Sequence, residues 1–587
     1  MPPAIDPPLR RPRPAYARLR ALSLVAVHLA ILGHILHWRL NGRTLAPLEL
    51  NELMYTLEAG IITAGFLFMV LVCASVLLFG RFFCSWGCHI LALQDSCAWL
   101  MNRLSWRPRV VRSRGLALVP LGAMLYMFVW PQVQFLFLGR VRPALHTTGE
   151  ESGWASFVTS DFWRNLPPPG VALLTFLLCG FVFVVLMGER AFCRYACPYG
   201  ALFALLERFA PGRISKTGNC TACGLCTAAC TSDVRVHEEL AAHGQVVDSA
   251  CLRDLDCLNA CPDGAIGFRY RRPPGLGGKR QLRDTPVKPK RAMFTRGEEL
   301  WMILAYVPIA WTLRGLYGRV PLLLSLALAG MAVYLGVIGW RLLLAPQVKL
   351  VRTPLKSGGR LNGKGRLVQL GCAALAALLL HSAAIRVQSR RGERAVAALG
   401  TGQDLQGLRE GLEAYNFVEH WGLLPTHGLQ RKRGLLQRAR GNLLAAQGRY
   451  PAALSAYQLA VRELPADPVL HFNLGRLLSQ AGRPGEAVGH YRESVRLQPE
   501  DPESRNNLAY ELLGLGRPQE AEPHLRRALE LDPSHANAHF LLGRLHYEAG
   551  RAPAAMESFR RAAALDRTLA QWLEEFERED LEGGSPP

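Results

Sequence analysis

Cysteine is the residue type that could do chemistry here, and its spacing indicates which chemistry. Seven of the fifteen cysteines fall between Cys220 and Cys261. The stretch reads Cys220-x2-Cys223-x2-Cys226-x3-Cys230, then Cys251-x2-Asp254-x2-Cys257-x3-Cys261-Pro262. Three thiolates on one tight turn grip three irons of an iron–sulfur cube, and the fourth of each run swings away to the other cluster. The pattern thus assigns Cys220, Cys223, Cys226 and Cys261 to one 4Fe–4S cluster. Cys230, Cys251 and Cys257 go to a second, with Asp254 as candidate fourth ligand in the place of a cysteine. A carboxylate is harder than a thiolate and holds iron less firmly at a sulfide cluster, so this second site is expected to be 4Fe–4S or 3Fe–4S. Zinc sites pair C-x2-C units at longer spacing and lack the trailing C-x3-C-P, which disfavours two zinc knuckles.

A second signal is Cys84-Ser-Trp-Gly-Cys88-His89 and Cys193-Arg-Tyr-Ala-Cys197-Pro198. The two share a frame, Gly-Arg-Phe-Phe-Cys84 against Glu-Arg-Ala-Phe-Cys193. Spacing of i and i+4 puts each pair on one helix face, so the four thiols are expected to converge as redox or metal-binding groups. The plainer reading is packing. Cys73, Cys97, Cys179 and Cys372 read as buried apolar residues. His28, His34 and His37 would serve a haem only with a facing histidine at matching depth, and no later apolar run offers one. No nucleotide loop or hydrolytic constellation is present, which favours an electron carrier over an enzyme with its own substrate.

The elements that position these residues are apolar. Half of the 587 residues are hydrophobic, and seven runs have about the length of a membrane-crossing helix. They are Ala21–Trp38, Ala59–Phe79, Leu116–Leu138, Val171–Met187, Leu300–Tyr317, Val320–Leu344 and Leu367–Ile385. Segments 1–20, 80–115 and 341–366 carry five, six and seven Lys/Arg, against two and three in 39–58 and 139–170, where Glu49, Glu52, Glu150 and Glu151 offset them. The positive-inside rule then puts the cysteine-rich segment in the cytoplasm and, with seven spans, everything after Ile385 outside. Orientation in a membrane accounts for much of the net charge of +22, so nucleic-acid binding is not expected.

From Gly434 the chain repeats every 34 residues. Gly448, Gly482, Gly516 and Gly550 keep the period, as do Gly441, Gly475, Ala509 and Gly543. This is the tetratricopeptide signature, a helix–turn–helix array whose surface binds a protein partner. Tyr457, Tyr491 and Phe559 fill its aromatic position and Leu525 departs from it. The expected fold is multi-domain. A disordered basic N-terminus (1–20) precedes four membrane helices (21–210), a two-cluster domain (211–270) and a basic linker (271–299). Three more membrane helices (300–385), a helical connector (386–433), an all-α solenoid of four repeats (434–569) and a capping helix with tail (570–587) follow.

Together the paired C-x3-C motifs and the doubled cluster pattern resemble the membrane-bound polyferredoxins. These include accessory proteins of periplasmic nitrate reduction, regulators of nitrous-oxide reduction and an assembly factor of cytochrome oxidase. The match covers about 50–270. The stretch Thr231-Ser-Asp-Val-Arg-Val-His237 and the fused repeats resemble a branch of bacterial 4Fe–4S proteins with tetratricopeptide repeats, in which Asp254 would be a cysteine. His89 and Thr231 also depart from the group's prolines. The resemblance implies a bacterial-type ferredoxin fold and electron transfer at a bacterial inner membrane, with a redox partner it does not identify. Two other readings remain open at this stage: a copper-handling or respiratory-enzyme assembly factor, and a redox-sensing scaffold.

Overall fold

The computed structural model describes residues 15–48, 52–104, 110–149, 156–163, 169–276, 292–350, 353–400 and 404–581. Residues 1–14, most of the basic linker (277–291), the tail 582–587 and Glu49, Glu150 and Glu151 lie outside the described residues. The chain divides into two compact units, Met1–Ala383 and Ala384–Pro587.

Among the described residues, five helices are long and apolar enough to cross a membrane, the last running on into the second unit. They are Tyr16–Asn41, Leu116–Phe137, Pro169–Met187, Leu322–Leu344 and Gly363–Gly400. Two of the seven expected spans fall outside that set. Ala64–Phe79 has 16 residues, because Gly60 takes a left-handed conformation (φ 72°) and Ile61 bridges to His146. A side chain at Gly60 would meet the carbonyl of Ala144 at 2.4 Å, so the break requires glycine. Arg296–Leu313 opens with a capping box, Thr295 with Glu298, and holds two glutamates in its first turn. It then turns through Gly315, whose N–H donates to Val320 O at 2.8 Å, into Leu322–Leu344, the expected hairpin. The first helix starts at Ala15, inside the stretch expected to be disordered. Arg20 is buried there, because Asp95 and Asp256 accept it.

The cysteine-rich segment is bounded by an antiparallel strand pair, Gly212–Lys216 against Ile266–Tyr270, in register from Gly212↔Tyr270 to Lys216↔Ile266. Between them lie the short helices Leu225–Ala228, Val236–His243 and Asp256–Asn259. Ile214, Val234, Val236, Leu240, Val246 and Ile266 form a core around Cys226, Cys251 and Cys257.

The second unit starts well before the repeats, within the helix Gly363–Ala397. Leu405–Trp421 packs beside the first repeat helix, Gly411 lying against Leu436. Four helix pairs follow from Leu429 to Leu565, closed by Arg567–Leu581, whose Trp572 and Phe576 stack on each other and meet Phe559 at an angle. The periodic Gly448, Gly482, Gly516 and Gly550 all have φ of 70–71° and end the first helix of each pair. A side chain at Gly441, Gly475 or Gly543 would strike the ring of Tyr457, Tyr491 or Phe559 at 2.5, 2.9 and 2.5 Å. The third repeat changes both partners, Ala509 for glycine and Leu525 for the ring, and buries both in the same core. One added methyl is thus matched by a smaller neighbour.

Candidate metal centres

The two cysteine runs share one backbone. Offset by 31 residues, Ala222, Gly224 and Asp233 have φ of 53°, 76° and 59°; Arg253, Leu255 and Gly264 have 60°, 64° and 63°. The left-handed residues fold the chain so that successive ligand positions face inward. Each trailing cysteine also accepts a backbone N–H: Val234 N to Cys230 Sγ at 3.4 Å, and Ala265 N to Cys261 Sγ at 3.3 Å. Such bonds favour the anionic sulfur.

Cys220, Cys223, Cys226 and Cys261 line one cavity, together with Gly224, His237 and Ile266. That is the expected exchange of the fourth ligand between runs. Cys230, Cys251, Asp254 and Cys257 form the second set, within electrostatic reach of one another, with Cys230 half-buried and the other three buried. Asp254 Oδ2 accepts from Thr231 Oγ1 at 2.7 Å. Two of the three departures from the group's pattern therefore touch each other, which their separation of 23 positions conceals in the sequence. Burial pushes the thiols up, Cys226 to about 11 and Cys230 and Cys257 further. A bare thiol here stays neutral, and a bound cation reverses that by requiring the thiolate.

The C-x3-C motifs match each other as well, and here one expectation is corrected. The cysteines of a pair do not share a helix. Cys84 sits in Phe82–Trp86 and Cys193 in Ala191–Tyr195, and the helix breaks at Gly87 and Ala196. Cys88 (φ −84°, ψ 119°) and Cys197 (φ −82°, ψ 110°) are then the extended N-caps of His89–Arg103 and Pro198–Glu207. Proline forces this at 198, since it lacks the N–H a continuing helix needs and disfavours the helical region for the residue before it. His89 holds the same first-turn position. The four thiols nevertheless converge: Cys88 and Cys197 are both within reach of Cys84 and Cys193, and burial with these neighbours pushes Cys88 up to about 12. Gln94 Nε2 donates to Cys193 Sγ at 3.8 Å.

Cys97 and Cys179 are buried as expected, whereas Cys73 and Cys372 are half-buried. His28 Nδ1 pairs with Leu24 O, His34 Nε2 with Leu45 O and His37 Nδ1 with Thr44 Oγ1, which gives each a local role. Among the described residues no group of three or more His, Cys, Asp and Glu is arranged to hold a metal ion. The donor sets fit a cluster instead. Each has four soft or anionic donors, one set lines a cavity, and sulfur-directed N–H groups lie at two of the cysteines.

Comparison with known proteins points the same way. The model of a 4Fe–4S binding domain matches residues 61–108 and 169–217, the two C-x3-C stretches, and the tetratricopeptide model matches 437–502 and 506–570. The ferredoxin-type protein MauN of methylamine utilization in Methylobacillus flagellatus is 30% identical over 173 residues, 29% of this chain and 52% of that one. Escherichia coli YccM is 28% identical over 234 residues, 38% of this chain and 62% of that one. The ferredoxin-type protein NapH of Haemophilus influenzae is 25% identical over 215 residues, 34% and 67%. The chain thus spans between half and two thirds of the length of these relatives. With both 4Fe–4S matches on convergent cysteines and the repeats behind them, the chain is a polyferredoxin fused to tetratricopeptide repeats.

Proposed function

We propose that this protein is a membrane-anchored electron-transfer protein with iron–sulfur sites in three places. Cys220, Cys223, Cys226 and Cys261 hold the first cluster. Cys230, Cys251, Cys257 and Asp254 hold the second. Cys84, Cys88, Cys193 and Cys197 hold a third. The carrying observation is that eleven cysteines and one aspartate gather into three sets of four, beside helices apolar enough to cross a membrane. A bound iron–sulfur cluster supplies one-electron oxidation and reduction at a potential its surroundings set. The chain's own residues fix the sulfurs, keep water from the two buried sets and direct N–H groups at Cys230 and Cys261.

The N-terminus and the cluster segment lie in the cytoplasm, the chain crosses a bacterial inner membrane seven times, and the repeats lie in the periplasm. Loop charges support this orientation. The repeat array holds the protein partner. A cytoplasmic reporter active after Ile385 would refute the topology. The direct test of the sites is anaerobic purification with iron and acid-labile sulfide analysis. Three clusters give about twelve irons and two about eight. A preparation containing only zinc sinks the reading.

A further inference from the structure

The half-buried C-x3-C thiols and the more deeply buried second set lie on either side of three arginines. Arg81 and Arg190 stand at the same place in the two C-x3-C frames, three residues before Cys84 and Cys193. Arg253 stands between Cys251 and Asp254. All three are buried, 6%, 3% and 0% exposed. Arg81 lies within electrostatic reach of Cys84 and Cys193, and Arg253 of Cys251 and Cys257. Arg190 reaches both sets, through Cys193 on one side and Asp254 on the other.

Their hydrogen bonding is incomplete. Arg81 Nη1 donates to Ser249 O at 2.9 Å, but its Nε has no partner among the described residues. Arg190 Nε donates to Thr231 Oγ1 at 3.2 Å and Nη1 pairs with Asp95 at 2.5 Å, while Nη2 has no partner there. Arg253 Nη2 donates to Glu207 Oε1 at 2.5 Å, and its Nε and Nη1 have none. Glu207 must also serve Arg213, whose Nη1 lies 2.9 Å from the same oxygen. One fully buried carboxylate therefore serves two fully buried guanidiniums, with Arg81 also in range, and Glu239 lies within electrostatic reach of Arg213. Buried charges persist only when compensated, and buried donors only when accepted.

The backbone adds an independent sign. Arg190 and Arg253 have φ of 59° and 60°, a region that strains a side-chain-bearing residue and suits glycine. A Cβ on Gly80 would lie 3.0 Å from Arg253 Nε, so the first C-x3-C frame is built directly against this guanidinium. Arginine is kept where both conformation and burial oppose it.

We propose that Arg81, Arg190 and Arg253 form a buried cationic layer that holds both flanking thiol sites at higher reduction potential than the first site. The inference rests on the three-site reading above. Each reduction adds one negative charge, and a fixed cation in a water-poor interior favours the reduced state. The layer also makes both flanking sites respond to one set of charges, while Cys220, Cys223, Cys226 and Cys261 supply an internal reference.

The test is a redox titration of the full-length, anaerobically purified protein, followed by electron paramagnetic resonance, alongside iron and sulfide analysis. Arg253→Gln should shift the midpoint of the Cys230–Cys251–Cys257 site negative, and Arg81→Gln that of the four-thiol site. We expect about a tenfold loss in the equilibrium favouring reduction, ~59 mV for a one-electron couple. Arg190→Gln should move both. The first site should stay in place throughout. Unmoved midpoints with wild-type iron content, or an equal shift at the first site, overturn the proposal. If the Gln variants lose iron, Arg81→Lys and Arg253→Lys decide: intact sites at wild-type midpoints support a role for charge, and lost sites overturn it. Failure of the three-site reading shows itself earlier, as a wild-type protein with about eight irons or fewer.

Discussion

The turn Cys220–Cys226 and the turn Cys251–Cys257 follow the same backbone path and sit in opposite surroundings. In the first, the left-handed positions carry Ala222 and Gly224, and Cys223 is exposed. In the second they carry Arg253 and Leu255, both buried, and Asp254 replaces the exposed cysteine as a buried carboxylate. The first turn is conformationally cheap and opens outward. The second keeps two large side chains in strained backbone and closes on charge. Matched geometry with unmatched surroundings separates an outer turn, open at Cys223, from an inner one packed against the first C-x3-C frame through Arg253 and Gly80.

The contrast can be broken most forcefully at its charges. Glu207→Gln should destabilise the first unit by about 3–5 kcal/mol in chemical denaturation, since it leaves buried guanidiniums without their carboxylate. A small loss would mean the inner site does not depend on its charges. Next in size are the ligands. Cys226→Ser and Cys257→Ser should each remove about four irons, one site without the other. Loss of both sites from either variant would show that the turns are not independent.

A smaller change sharpens the difference at Asp254. The native second site should interconvert between 4Fe–4S and 3Fe–4S forms, with a 3Fe–4S signal in the oxidised protein, and Asp254→Cys should abolish it. Absence of that signal from the native protein refutes the carboxylate-ligand assignment. The smallest effect belongs to the outer site. Asp263 accepts from Thr221 Oγ1 at 3.0 Å on the surface, and Asp263→Ala should change stability by no more than about 0.5 kcal/mol. A loss as large as that of Glu207→Gln would erase the distinction between outer and inner charge.

Which of these features could be read in advance depends on the range of the interactions. Cysteine spacing and the 34-residue period are local and repetitive, so the cluster turns and the helix pairs were visible in the letters. The break inside each C-x3-C motif was missed, because an i,i+4 rule assumes an unbroken helix; Pro198 was the available signal. The Thr231–Asp254 contact and the Ala509–Leu525 exchange were each visible only as two unrelated departures. Of the buried arginines, Arg81 counts in the sequence as loop charge that orients the chain in a membrane, and Arg190 and Arg253 are given no role there. Nothing in a single sequence separates a solvated arginine from one whose partners lie far away in the chain. The shared Arg81 and Arg190 of the two frames was the one hint, and it needed the fold to give it meaning.

Arg20 brings an order of events into the molecule. It belongs to the helix Ala15–Asn41, yet it donates to Asp256 at 2.8 Å across 236 residues and to the carbonyl of Asp254. Until that acid has been synthesised the contact cannot close. At about 5–20 residues per second the delay is on the order of ten to fifty seconds. During that interval the inner turn is incomplete, and its ligands become enclosed only when the last of them emerges. Arg20 thus acts as a latch made early and engaged 236 residues later, closing against the inner turn only once Asp256 is present.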